Sequence, residues 1–414
     1  MDPDATLRRR AQEILDDHWD SERGYSYPHR GTYPHQWLWD SCFTAIVRAG
    51  LGDRRAVSEL RTALSGQLAD GFVPHMRYAG PTIARGPLTG VSSFTQPPVY
   101  AHAARVLDRR GFAPGEDVLA RIDRALHYLW TVRRRDGLIA IVHTWESGAD
   151  ASPRWDSWTG RDWTTAPQAS RRRGQRATRS LAAVRGGRRL RPGASRPWTR
   201  PAWDEFERGL IDAAVFDPSG AAGASRAFEV APAAFNALAA HAAGELAALT
   251  GDQGWRRRAA ALAEEIDAQL WDEREGLWSD RPVVGGGPSA RVPTLDGVLG
   301  ALVTPDAAKA ERALAQLTIE TRFGAEFGLA YVPREHPAYQ PDLYWRGPAW
   351  MQLNYLVALA AARWGRAEVL GAVGEMSRRA ARVSGFAEYW NPETGEGHGA
   401  IPLTWSTLVT ALPG

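Results

Sequence analysis

Eleven separate stretches of this chain repeat apolar residues at i, i+3, i+4 and i+7, and strand-like alternation is confined to short pieces such as Gly137 to His143. That spacing gives each stretch an apolar stripe when it is coiled as a helix, so the chain is bound to an all-α architecture. The stretches are Ala5 to His18, Trp39 to Ala49, Asp53 to Leu68, Pro97 to Arg110, Pro114 to Val132, Ala231 to Leu249, Asp252 to Trp271, Pro305 to Leu317, Gly347 to Trp364, Arg366 to Val383 and Leu403 to Leu412. Repeated helical hairpins pack as an open solenoid or as a closed double ring. Each connecting loop here has its own polar and aromatic cluster, as in Ala69-Asp70-Gly71-Phe72-Val73-Pro74-His75, which is expected when loops converge on one pocket. The ring is therefore the predicted form.

With 414 residues the chain can bury a large core, and nothing in its hydrophobic pattern divides it, so a single domain over 1–414 is expected. The N-terminus enters an amphipathic helix without an apolar leader, and no later run of about 20 uncharged apolar residues appears, so a cytoplasmic location and no membrane partner are expected. The lone Cys42, in an apolar helical setting, reads as a small buried hydrophobe.

The formal net charge of +3 conceals an anomaly: from Trp163 to Trp203 there are 11 Arg and no Asp, Glu or Lys, which leaves the rest of the chain at −8. The segment 164–200 has only Leu181, Val184, Leu190 and Trp198 as large apolar residues and supplies no core face. The whole chain has one Lys, Lys309, against 49 Arg, the mark of a GC-rich coding sequence. The segment thus reads as a stretch framed by two compensating frame errors, as a disordered insertion, or as an Arg-rich lid. No nucleic-acid-binding module flanks it, so no nucleic-acid partner is expected.

Candidate chemistry lies in the loops. Asp150, in Glu146-Ser147-Gly148-Ala149-Asp150-Ala151-Ser152, is near Trp145 and Trp155, and Glu388 lies in Phe386-Ala387-Glu388-Tyr389-Trp390. Two carboxylates among indoles suit glycosidic cleavage, in which one carboxyl protonates the departing oxygen and the other activates water or attacks the anomeric carbon. Asp150 is the candidate acid, the alternative being a helix cap or a salt bridge to Arg154. Glu388 is the candidate base, expected to have the lower pKa of the pair, with an exposed loop glutamate as the alternative. Glu146 and Asp156 read as supports that orient backbone or Arg154. Asp40, in Trp37-Leu38-Trp39-Asp40-Ser41, is placed to cap a helix or to accept sugar hydroxyls. Gln96 stands before a Pro-initiated helix, where its amide bridges hydroxyls or structures its loop. Asp342-Leu343-Tyr344-Trp345-Arg346-Gly347-Pro348-Ala349-Trp350 reads as a substrate platform. His75 and His398 have no second His or Cys at ligand spacing, and no Walker or dinucleotide fingerprint is present, so no metal and no cofactor are expected.

The ordered elements Trp-Leu-Trp-Asp-Ser, Thr-Gln-Pro-Pro, Glu-Ser-Gly-x-Asp, Tyr-Trp-Arg-Gly-Pro-x-Trp and Glu-Tyr resemble the inverting α-glycosidases of glycoside hydrolase family 63 and its trehalase clan. Within that clan the chain is most similar to the bacterial mannosylglycerate and glucosylglycerate hydrolases. The resemblance implies an (α/α)6 toroid, Asp150 as general acid, Glu388 as general base and a small carbohydrate substrate. Tyr33, Trp39, Asp40, Gln96, Gly148, Tyr344, Trp345 and Trp350 match the family's pocket around the terminal sugar, and Tyr78 is a looser match. The family's lid, which helps to hold the glycerate, falls between Trp158 and Arg226, across the anomalous segment.

Two departures stand out. The family often has Met-Asp-Asn-Ser around the acid, where this chain has Ala149-Asp150-Ala151-Ser152, and its Phe-Ser-Trp-Thr is here Leu403-Thr404-Trp405-Ser406. Neither removes a reacting group. Inversion implies carboxyls roughly 6.5–9.5 Å apart, with room for water between them. The alternatives are a trehalase-like or oligosaccharide α-glucosidase, or a degenerate sugar-binding relative without turnover. A sugar epimerase on the same ring would need paired histidines in the pocket, and none is evident from the sequence.

Overall fold

The structure is a computed structural model that describes residues 3–80, 86–159, 199–286, 292–318 and 321–412. Helices alternate between an outer and an inner layer. α1 (Pro3–His18) is outer, α2 (Leu38–Gly50) inner, α3 (Arg55–Ala63) outer, α4 (Tyr100–Arg109) inner and α5 (Glu116–Val132) outer. After an additional helix, α6 (Arg200–Ala213), the alternation resumes with α7 (Ala233–Thr250) inner and α8 (Gln253–Gln269) outer. A 3₁₀ run at Leu295–Leu302 is inner, α9 (Ala307–Leu314) outer, α10 (Met351–Arg363) inner, α11 (Ala367–Ser384) outer, and a 3₁₀ run at Thr404–Thr410 inner. The inner elements pack side by side in the order α2, α4, α7, Leu295–Leu302, α10, Thr404–Thr410, and the last packs back on α2. This is the closed (α/α)6 toroid and not the open solenoid.

The two layers follow from composition. α7, Ala-Ala-Phe-Asn-Ala-Leu-Ala-Ala-His-Ala-Ala-Gly-Glu-Leu-Ala-Ala-Leu-Thr, is apolar almost all round, and most of its residues are buried. Such a helix fits only where it is covered on every side. Outer helices such as α8 bury one stripe, Trp255, Leu262, Ala263 and Ile266, and leave Arg and Glu outside. The hairpin between them is tight: Gly251 ends α7 at φ +78, and the Asp252 carboxylate accepts hydrogen bonds from the Gly254 and Trp255 N–H groups to start α8.

Ten of the eleven predicted stretches are α-helices, and Leu403 to Leu412 is instead the 3₁₀ run. The Pro97 stretch begins its helix at Tyr100 and the Gly347 stretch at Met351. α6 and Leu295–Leu302 were not predicted. The anomalous segment falls, except for Thr199 and Arg200, outside the described residues. Cys42 is fully buried, as expected. Among the described residues no helix is long and apolar enough to cross a membrane.

The loops that precede α2, α4, α7, α10 and Thr404–Thr410 converge on one face of the ring, where the positive ends of the inner helix dipoles also point. Small residues on α7 let it pack against α4, α8 and Leu295–Leu302 together. Ala239→Leu, at a fully buried position of α7, should therefore overpack this junction and cost about 1–3 kcal/mol in a denaturant titration. An unchanged midpoint would contradict the close packing.

Candidate active site

Loops from five of the six hairpins enclose a cavity of about 400 Å³. Short pairings tie the loops together. Gln36–Trp37 pairs antiparallel with Met76–Arg77, and Ala349 bridges to Trp390. Nine of the eleven predicted residues line the cavity: Tyr33, Trp39, Asp40, Gln96, Gly148, Asp150, Tyr344, Trp345 and Glu388.

Asp150 sits between two 3₁₀ turns, Thr144–Ser147 and Pro153–Trp158, with its side chain 15% exposed. Three buried arginines, paired with four carboxylates, hold this irregular loop. Glu146 takes Arg133 in a two-pronged grip at 2.6 and 2.8 Å, and also accepts from the Thr95 and Val142 N–H groups. Arg154 bonds Asp280 at 2.9 Å and Asp296 at 2.7 Å, with its guanidinium over the Trp155 ring. Asp156 pairs with Arg346, one bond at 3.0 Å, and Arg346 also reaches the Ala151 carbonyl. Asp156 therefore orients Arg346, whereas the sequence reading offered backbone or Arg154 as its partner. Gly148 is at φ +75, and a Cβ there would lie 2.5 Å from the Trp39 indole, so only glycine lets the acid's loop rest on that ring.

Glu388 is 3% exposed and is held from two sides. The Tyr33 hydroxyl donates to Oε1 at 2.7 Å, and the Ala400 N–H donates to Oε2 at 2.9 Å. Trp405 Nε1–H donates to the Glu388 carbonyl at 3.0 Å, so the Trp of the altered C-terminal motif positions this backbone. Phe386, two residues earlier, is at φ +62, a strained conformation for a bulky side chain. Burial pushes the Glu388 carboxyl up to about 7, while the bonds from Ala400 and Tyr33 pull the other way. Burial thus holds this candidate base above the ordinary carboxylate range. Asp40, in the first turn of α2 and 5% exposed, is pushed up to about 8, again chiefly by burial.

Three assignments need revision. Trp350 does not line the cavity; fully buried, it stacks flat against Trp345, with centroids 3.6 Å and planes 3° apart, and backs the wall that Trp345 forms. Tyr78 also lies off the lining, edge-on to His35 with ring centroids 5.6 Å apart. Gln96 has a double role: its carbonyl accepts from the Trp39 N–H at 3.2 Å while the residue faces the cavity. Two histidines, His35 and His75, do line the cavity. His35 Nδ1 accepts from the Ala79 N–H and His75 Nδ1 faces the Phe94 carbonyl at 3.0 Å, so one nitrogen of each ring is committed to backbone.

The sequence reading missed Arg200, Trp37 and Trp405 on the cavity wall. Arg200, the first residue of α6, lies 3.9 Å from Asp150 Oδ2, and its guanidinium is 5.7 Å from the Tyr344 ring centre. It closes the segment set aside as anomalous, which is why its signal was lost. Glu207, two turns along the same face of α6, is 2% exposed and pushed up to about 8, chiefly by burial and then by the Asp150 charge.

A ring of paired helices with two carboxyls and several indoles on one cavity is the framework of a glycoside hydrolase. A family model described as the mannosylglycerate hydrolase MGH1-like glycoside hydrolase domain matches residues 33–406, and the chain belongs to that family. It is 30% identical to the mannosylglycerate hydrolase of Thermus thermophilus, over 94% of this chain and 96% of the relative. It is 31% identical to the glucosylglycerate hydrolase of Mycolicibacterium hassiacum, over 90% of each. The crystal structure of a GH63 mannosylglycerate hydrolase from Thermus thermophilus, in complex with Tris and D-glycerate, superposes with a TM-score of 0.77 at 27% identity, covering 98% of this chain and 99% of that one.

Because the Tyr33 hydroxyl stabilises the charged form of Glu388, its loss should favour the protonated form. Carboxyl ¹³C NMR should find Glu388 titrating near pH 7, and Tyr33→Phe should move that midpoint to higher pH. A midpoint that stays or falls in the variant would contradict the assigned hydrogen bond.

Proposed function

We propose that the chain hydrolyses a small α-glucoside or α-mannoside of glycerate with inversion at the anomeric carbon. The observation that carries this reading is that Asp150 and Glu388 line the same cavity, each on a loop fixed by its own buried bonds. In the proposed reaction Asp150 gives its proton to the departing glycosidic oxygen. Glu388 takes a proton from water, whose oxygen attacks the anomeric carbon from the opposite face. A carboxyl pushed up to about 7 suits that role, since it is a stronger proton acceptor than an ordinary glutamate and is still substantially ionised near neutral pH.

Asp40 and Gln96 would meet the sugar hydroxyls, and the indoles of Trp39, Trp345 and Trp405 would face the apolar sides of the ring. The glycerate assignment is supported by Arg200, whose guanidinium stands beside the acid, where the leaving group would depart, and suits a carboxylate. The names of the relatives fit the same substrates. We take 1–414 as one catalytic domain, with its first and last ring elements in contact.

Asp150→Asn and Glu388→Gln should each lower turnover of glucosylglycerate and mannosylglycerate by about 10²–10⁴-fold or more, while calorimetry still detects binding. A variant that keeps most of its activity would remove that residue from the reaction.

A further inference from the structure

Away from the cavity wall, three ligand-type side chains meet between the inner helices α4 and α7. His102 Nδ1 lies 3.2 Å from His241 Nε2 and 3.8 Å from Glu245 Oε1, and His241 Nε2 lies 3.6 Å from the same carboxylate oxygen. The point equidistant from these three atoms is about 2.1 Å from each, the bond length of zinc to imidazole nitrogen and carboxylate oxygen. His241 and Glu245 stand at i and i+4, so one face of α7 presents both, and His102 completes the set from the neighbouring helix.

The surroundings fix these donors. Tyr355 Oη, from α10, is 2.9 Å from His102 Nε2, which holds the ring with Nδ1 turned to the other two ligands. Metal-bound histidines are commonly fixed in this way through their second nitrogen. Arg105 Nε is 3.6 Å from Glu245 Oε2, which leaves Oε1 facing the histidines. The three side chains are 6%, 20% and 13% exposed, in the order His102, His241 and Glu245, so the cluster is shielded yet within reach of a water as fourth ligand.

We propose that His102, His241 and Glu245 form a site for one divalent transition metal of the zinc type, closed by water, that fastens α4 to α7. None of the three lines the sugar cavity, so the ion would brace the ring and take no part in the hydrolysis. The two histidines are 139 positions apart on two helices, which is why the sequence spacing gave no sign of the cluster and the expectation was of no metal.

The test uses the full chain, stripped with a chelator and titrated with Co²⁺. One equivalent should produce the visible bands of four-coordinate cobalt, and Zn²⁺ should bleach them. The unfolding temperature should rise with Zn²⁺ concentration, as for any ligand that binds only the folded form. His241→Ala should weaken binding by at least ~100-fold, and Glu245→Gln, which keeps the side chain's size, should do likewise if the carboxylate is a ligand. Absence of the bands, or variants that bind as tightly as the parent chain, would overturn the proposal and leave a plain hydrogen bond between the two imidazoles.

Discussion

Guanidinium groups buried against carboxylates hold the loop on which the candidate acid rides. Arg346 is fully buried, and its partner Asp156 is 190 positions away, so this single pair locks the acid's loop to the loop of Tyr344 and Trp345. Arg154 ties the same loop to Asp280 and Asp296, and Arg133 ties it through Glu146 to the backbone beside Gln96. Removing one member of such a pair leaves an uncompensated charge, a cost of about 3–5 kcal/mol. Regular secondary structure could not do this job, because Thr144–Ser147 and Pro153–Trp158 are only short 3₁₀ turns. The polar network sets the geometry that a strand or helix would otherwise provide.

Close approach completes what the ion pairs begin. Gly148 lets backbone lie on the face of Trp39, and Gly399, at φ +74, lets the turn before Ala400 wrap the Glu388 carboxylate; a Cβ there would come within 2.3 Å of Oε2. The toroid supports both loops by presenting its inner helix starts on one side, so residues from far-apart segments share one cavity. The cavity's two raised carboxyls, Glu388 and Asp40, follow from that enclosure, since burial is the leading cause of each shift.

The helical period was legible because ring helices bury a stripe or a whole surface, and ten α-helices follow from it. Leu295–Leu302, Leu-Asp-Gly-Val-Leu-Gly-Ala-Leu, was not legible: it is short, broken by two glycines and buried throughout, so no stripe stands out. α6 was hidden by the charge anomaly that ends on its first residue. Most residues that the resemblance named line the cavity, but adjacent aromatics are beyond sequence reasoning, since Trp345 and Trp350 share one motif and only stacking decides which is the wall and which its backing. The supporting role of Asp156 was foreseen and its partner was not, because that partner is chosen by the closure of the ring.

The central claim is that the two carboxyls of this cavity, Asp150 and Glu388, invert an α-glycosidic bond. Proton NMR of the full chain with glucosylglycerate and mannosylglycerate, recorded before mutarotation, tests it most directly. The account predicts that the first sugar to appear is the β-anomer. An α-anomer at the earliest times would contradict the inverting assignment of Asp150 and Glu388.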